Sequence, residues 1–294
     1  KKGNHIITTK IEHKAVLETC RFLEESGQCT VTYLDVDNFG RINPRDVEKA
    51  ITKKTILISV IYANNEIGTI QQIADIGNIA RRKNIFFHTD ACQAAGALDL
   101  SVDRLNVDLL TLNGSKIYGP KGIGILYLKK GVNLAPLIFG GGQEFAFRGG
   151  TENVPGIVGF SRALELVEKE KIEDSQRLTR LRDQFIGKVM GAIPRSKLNG
   201  HPRQRLPNNV NISFAGIDAE TLLKALGEQG IFVSAGSACT ANSITLNHVL
   251  EALHVSKALA RGTIRFTFGK GTNEKDLGVV LRILKETVEI LRDL

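Results

Sequence analysis

The sequence predicts an α/β protein, with a large domain on a mainly parallel sheet followed by a smaller α+β domain. Three observations carry this reading. From residue 5 to about residue 130, short β-branched runs alternate with amphipathic helical stretches, the pattern of βα units. Residues 136–155 lose that periodicity around Gly140-Gly141-Gly142 and read as a functional loop between domains. Beyond a long charged helix, only a few strands and helices follow, enough for a small second domain.

The first strand spans residues 6–9, where Ile6, Ile7, Thr8 and Thr9 form an unbroken β-branched run. Residues 14–26 follow as an amphipathic helix that stops before Gly27. Strands at 30–34 and 55–61 flank a short helix at 44–50, which starts on Pro44, a residue suited to a first helical turn. A helix at 73–83, a strand at 85–89, a helix at 102–105 and strands at 109–113 and 124–128 complete the large domain, assigned to residues 1–160. The small domain, residues 161–294, takes most of a helix near 157–192. It adds strands at 209–214, 231–234 and 263–267 and helices at 219–229 and 273–292.

A content of 42% hydrophobic and 24% charged residues is that of an ordinary globular chain and excludes disordered and collagen-like classes. The formal charge of +8 is spread along the chain without a dense basic block, so no nucleic-acid partner is expected. No apolar run reaches the roughly 18 residues of a membrane span, and residues 1–10 lack the layout of a signal peptide. A cytoplasmic protein is therefore expected. The four cysteines form no CxxC pair and are expected as reduced thiols, one of them reactive. The six histidines are scattered, and His88, Asp90 and Cys92 crowd one strand end without zinc spacing, so no metal centre is expected.

Five segments carry side chains suited to chemistry. In Asn113-Gly114-Ser115-Lys116 a lysine lies just past a strand end, where open α/β sheets bind ligands, and a partly desolvated amine there can form a Schiff base. In His88-Thr89-Asp90-Ala91-Cys92-Gln93 a strand ends on an aspartate that can hold a pyridine nitrogen protonated, with Gln93 placed to reach a ring hydroxyl. The same aspartate also suits a helix cap. Asn64-Asn65-Glu66-Ile67-Gly68 offers an amide for a carboxylate or ring oxygen, or simply a turn. Glu12-His13-Lys14 puts an imidazole at a strand-to-helix junction, able to stack on a flat ring or move protons. Ser234 to Ser243 surrounds Cys239 with small residues, as a movable thiol arm would.

In this order the segments resemble the NifS/IscS-type cysteine desulfurases, fold-type I enzymes dependent on pyridoxal 5'-phosphate (PLP), across nearly the whole chain. The nearest stretches are residues 12–17, 64–68, 116–122 and 236–240. The resemblance implies a seven-stranded type of sheet in the large domain. It also implies that Lys116 carries the cofactor, His13 stacks on the ring and shuttles protons, Asp90 pairs with the ring nitrogen, and Gln93 contacts the ring hydroxyl. Asn65 and Arg265 would hold the carboxylate of L-cysteine, and Cys239 would take its sulfur as a persulfide, leaving L-alanine. Thr151 would reach the cofactor phosphate of the second subunit of a homodimer, and the sulfur would pass to an iron–sulfur scaffold or a thiolation factor.

Two departures from the family pattern stand out. Ser115 precedes the lysine where the best-known members have histidine, which leaves Asn113 and Ser115 as phosphate donors. No Gly-Thr-Glu-Ser type turn occurs upstream, which suggests a truncated or processed form that binds PLP weakly. Rival readings are a selenocysteine lyase or another fold-type I activity, and a sulfur-relay or scaffold-binding homologue without the cofactor. Cys239 argues against an aminotransferase, which has no use for it.

Overall fold

The structure, a computed structural model, describes residues 3–235 and 247–293. Its first part alternates strand and helix: β1 (His5–Thr9), α1 (Lys14–Glu25), β2 (Thr30–Leu34), α2 (Pro44–Ala50), β3 (Thr55–Ser59), α3 (Ile73–Arg82), β4 (Phe86–Asp90), α4 (Val102–Leu105), β5 (Leu109–Asn113) and β6 (Gly124–Leu128). These strands form one sheet in the order β2-β1-β3-β4-β5-β6, parallel except for β6, which runs antiparallel to β5. The described residues thus give six strands, one fewer than the expected seven-stranded type, because nothing among them pairs with the outer side of β6. Every residue of β1 is buried, as a parallel sheet covered on both faces requires.

The second part holds α5 (Val154–Ala192), β7 (Ser196–Leu198), β8 (Asn209–Phe214), α6 (Ala219–Glu228), β9 (Ser234–Ala235), α7 (His248–Ala252), α8 (Lys257–Ala260), β10 (Thr263–Thr267) and α9 (Glu274–Asp293). Its sheet has the order β7-β8-β10-β9. The expected strand at 231–234 reduces to β9, because only Ser234 and Ala235 reach a partner, Arg265 and Ile264 of β10. Similarly, the expected strand at 55–61 ends at Ser59, although Val60 and Tyr62 still donate to the carbonyls of His88 and Asp90. The short elements β7, α7 and α8 have too few residues to show a period.

Two hydrophobic cores follow. One gathers Ile7, Ile58, Phe87 and Leu110 of the large sheet with Ile73 and Ile76 of α3. The other packs Val210, Ile212, Phe214, Ile264 and Phe266 against Leu222 of α6, Phe185 of α5 and Leu284 of α9. Helix α5 serves both, Phe160, Ala163 and Val167 entering the first core and Leu178, Leu181, Phe185 and Val189 the second. A division at 160/161 therefore falls inside a continuous helix. After β9 the chain returns to the first core through Val249, Leu250, Leu253 and Val255.

Alternation in the small sheet decides what faces the large one. Val210, Ile212 and Phe214 point into the second core, so Asn209, Asn211 and Ser213 point the other way. Register places Thr267, Arg265 and Thr263 of β10 opposite those three. One polar face thus looks back at the carboxyl ends of the parallel strands.

Candidate active site

Between that face and the strand ends lies a cavity of about 910 Å³. His13, Asn65, Asp90, Gln93, Asn113, Ser115, Lys116 and Arg265, eight residues singled out from sequence, all line it. They come from both parts of the chain, and each large-domain member sits at or just past a strand end.

His13 caps α1: its Nδ1 accepts from Ala15 N–H at 3.1 Å, so a neutral ring carries its proton on Nε2. The residue before it is unlike any surface acid. Glu12 is 1% exposed, and its Oε1 accepts from Thr9 Oγ1 and Ile61 N–H, each at 2.8 Å. Burial outweighs these bonds and raises its acid to about 8. Its own carbonyl bonds the ring Nε2 of His248 at 3.0 Å, tying α7 to the His13 junction.

At the end of β5, Asn113 Oδ1 accepts from Ser115 N–H at 2.9 Å and Ser115 Oγ–H at 2.7 Å. That fixes the 3-10 turn Gly114–Lys116 and leaves the Asn113 amide N–H to point elsewhere. Lys116 lines the cavity but is exposed, unlike the partly desolvated amine expected. It is the last residue of that turn.

Asp90 ends β4, and its Oδ1 accepts from Cys92 N–H at 3.0 Å. Two residues back on the same face, His88 bridges Ser59 Oγ (2.8 Å) and Thr111 Oγ1 (2.9 Å), a side-chain row across β3, β4 and β5. Burial lowers the pKa of His88, against the opposing pull of Asp90. Burial first, and the Asp90 carboxylate second, push the Cys92 thiol far upward, which makes it a poor nucleophile although it lines the cavity.

The turn at 64–68 is built from its side chains outward. Asn64 Oδ1 accepts from the N–H groups of Glu66 (2.9 Å) and Ile67 (3.0 Å), and Gly68 takes φ +75°, where a Cβ would strike Asn209 Oδ1 at 2.8 Å. The small sheet grips this turn. Asn209 Nδ2 donates to the carbonyls of Asn65 (3.3 Å) and Glu66 (3.2 Å), Asn211 Nδ2 to that of Glu66 (3.1 Å), and Arg265 Nη1 to that of Asn65 (3.1 Å). Arg205, 3% exposed, donates to the carbonyls of Ile67 (3.0 Å) and Asn199 (3.3 Å). Burial, then neighbouring Arg182, lowers its pKa to about 9, so it remains a cation at neutral pH. Arg265 Nη1 also lies 3.4 Å from Glu66 Oε2.

One expected residue is not among those lining the cavity. Thr151 is exposed and belongs to the segment before α5. Cys239 lies outside the described residues. Sequence reasoning missed Glu66, His88 and Asn209; only the i, i+2 relation of His88 to Asp90 signalled a shared face.

The chain matches the family Aminotransferase class-V over residues 1–280. It belongs to that family. Among its relatives is a "Cysteine desulfurase IscS" of Dictyoglomus turgidum, 50% identical over 99% of this chain and 74% of the relative. Another of the same name, from Methanosarcina thermophila, is 49% identical over 100% of this chain and 72% of the relative. A solved "NifS-like protein" superposes with a TM-score of 0.90 at 38% identity, covering 99% of this chain and 76% of that one. A structure titled "SspA in complex with cysteine" gives 0.77 at 40% identity, covering 91% and 74%.

Class-V aminotransferase relatives of this kind depend on PLP, and the donor set suits it. The cavity offers an amine for an aldehyde, a carboxylate for a protonated ring nitrogen, an imidazole beside a flat ring, and amide and hydroxyl donors for a phosphate. Its volume is also that of a cofactor site.

Proposed function

We propose that this chain is a PLP-dependent cysteine desulfurase that moves the sulfur of L-cysteine onto Cys239 and releases L-alanine. One observation carries the reading: eight chemically suited side chains from two parts of the chain meet in one cavity. When bound at Lys116, PLP supplies an electron sink for the pair left at the substrate α-carbon. Lys116 holds the cofactor and, once released, has an amine to take or return a proton. His13 presents its Nε2 side for a second proton transfer. Asp90 keeps the ring nitrogen protonated, Gln93 meets the ring hydroxyl, and the Asn113 amide N–H serves the phosphate together with the Ser115 hydroxyl, which turns to it from Asn113 Oδ1.

Asn65 and Arg265 orient the substrate through its carboxylate. The thiolate of Cys239 attacks the substrate sulfur; the S–S bond forms as the carbon–sulfur bond breaks, and the electron pair stays with the carbon skeleton, which picks up protons as alanine. Cys92 is the wrong thiol for this step because its proton is held too tightly.

We further propose a homodimer in which Thr151 serves the partner's cofactor phosphate. Leu137, Phe139 and Phe145 of the loop before it, between 81% and 93% exposed, are apolar side chains that such a contact would bury. The sulfur then passes to an iron–sulfur scaffold or thiolation factor in the cytoplasm, where Cys20, Cys29 and Cys92 remain free thiols. Among the described residues no helix is long and apolar enough to cross a membrane.

The test is alanine and sulfide release from L-cysteine, with a thiol reductant, by the wild type, Lys116→Ala and Cys239→Ser. The wild type is expected to release both. Lys116→Ala is expected to lose activity together with cofactor absorbance, and Cys239→Ser to lose activity alone. A PLP-loaded wild type that forms no alanine would sink the reading.

A further inference from the structure

Glu66 is pinned in the cavity by its own backbone. Its N–H donates to Asn64 Oδ1 and its carbonyl accepts from Asn209 and Asn211, which fixes the backbone from which its carboxylate reaches Arg265. Oε1 accepts from Asn65 Nδ2 at 3.2 Å. Oε2 is buried, has no hydrogen bond, and lies 3.4 Å from Arg265 Nη1. Arg265 gives the hydrogen bond of that same Nη1 to the Asn65 carbonyl, while its Nε is buried without a partner. The guanidinium is thus held at its Nη1 corner, with its Nε left unsatisfied.

We propose that Glu66 is the resident counter-anion of the substrate clamp and sets its specificity, moderating the hold of Arg265 on one carboxylate and rejecting ligands that bring a second anionic group. This rests on the assignment of Arg265 to the substrate carboxylate. A carboxylate arriving at Arg265 shares one guanidinium with Glu66, and two like charges on one cation in a partly buried site repel. With Gln in place of Glu66, Arg265 has no counter-charge until a ligand supplies one, so binding tightens. A purely structural Glu66 predicts the opposite sign, because loosening the turn can only weaken the site.

The experiment is calorimetric titration of the PLP-loaded full chain with L-alanine, which has no sulfur to lose, and with L-aspartate, which adds a side-chain carboxylate. Glu66→Gln, of the same shape, is expected to bind L-alanine about tenfold tighter and L-aspartate tighter by a larger factor. Equal or weaker L-alanine binding by a variant with an unchanged melting temperature overturns the proposal. Should Glu66→Gln not fold, Glu66→Asp withdraws the charge by one methylene and is expected to tighten L-alanine about threefold, with no tightening again overturning it. If Arg265→Lys binds L-alanine as the wild type does, the clamp assignment is itself wrong and the proposal falls with it. That outcome is separate from a wild type that binds amino acids yet forms no alanine from L-cysteine.

Discussion

The cavity has two walls of different origin. The large-domain wall is assembled at strand ends, and each contributor (His13, Asn65, Asp90, Gln93, Asn113, Ser115, Lys116) lies within a few residues of a strand's last position or the junction after it. The small-domain wall is a polar sheet face whose bonds to the 64–68 turn join residues 143 to 200 positions apart. The first wall supplies reactive groups. The second holds one of its turns in place and adds a single cation, Arg265.

The largest expected effect tests the first wall alone. Lys116→Ala should reduce alanine formation from L-cysteine by about a thousandfold or more, because no other described amine lines the cavity. Lys121, five residues on, is exposed and does not line it. Lys121→Ala should stay within about twofold of wild type, and equal losses in the two variants would show that the strand-end reading picked the wrong amine.

The strand-end wall was legible because a strand followed by a short chemical motif is a local signal, so β2, β5 and β6 and five site residues (His13, Asn65, Asp90, Gln93 and Lys116) could be read from neighbours in sequence. The alternation in Asn209–Phe214 and Thr263–Thr267 was equally visible, but what the polar face touches was not. Nothing near Asn209 or Arg205 in sequence points to a turn some 140 residues earlier. Arg265, like Asn113 and Ser115, entered the site only through family resemblance. Glu66 went unnoticed because an acid in an Asn-rich turn looks like solvent-facing turn chemistry until the small sheet closes over it.

The second prediction separates the walls. Arg205→Met fills similar space but strips the carbonyls of Ile67 and Asn199 of a buried donor, at a cost of about 3 kcal/mol in urea denaturation. Because the turn it holds carries Asn65 and Glu66, KM for L-cysteine should shift as well. A stability loss with an unchanged KM would mean that Arg205 merely packs against the turn and does not set its geometry.

A third prediction concerns pH and belongs to the strand-end wall. Burial raises the acid of Glu12 to about 8 in the folded chain, whereas the unfolded chain titrates near an ordinary glutamate, at about 4.5. The folded state therefore binds the extra proton between those values, and the stabilising contribution is full below the lower one and lost as pH rises through the higher. Glu12→Gln keeps the shape and the acceptor for Thr9 and Ile61 but has no proton to lose. Between pH 5 and pH 9 the wild type should lose on the order of 4 kcal/mol relative to this variant, read by denaturant melts at each pH. Parallel pH profiles would show that water reaches Glu12 freely.

The smallest expected effect compares two helix caps. His13 Nδ1 accepts from Ala15 N–H at the start of α1, and Asn43 Oδ1 accepts from Arg45 N–H at the start of α2. Both bonds satisfy a backbone donor that the helix cannot, so His13→Ala and Asn43→Ala should each cost about 1 kcal/mol of stability. Only His13 lines the cavity. Its loss should lower kcat for alanine formation by about a hundredfold, while Asn43→Ala leaves kcat unchanged. If His13→Ser, which restores a capping oxygen, recovers the stability without the kcat, the ring acts at the cavity beyond its duty as a cap. Recovery of both would reduce His13 to a structural residue and leave proton transfer in the strand-end wall to Lys116.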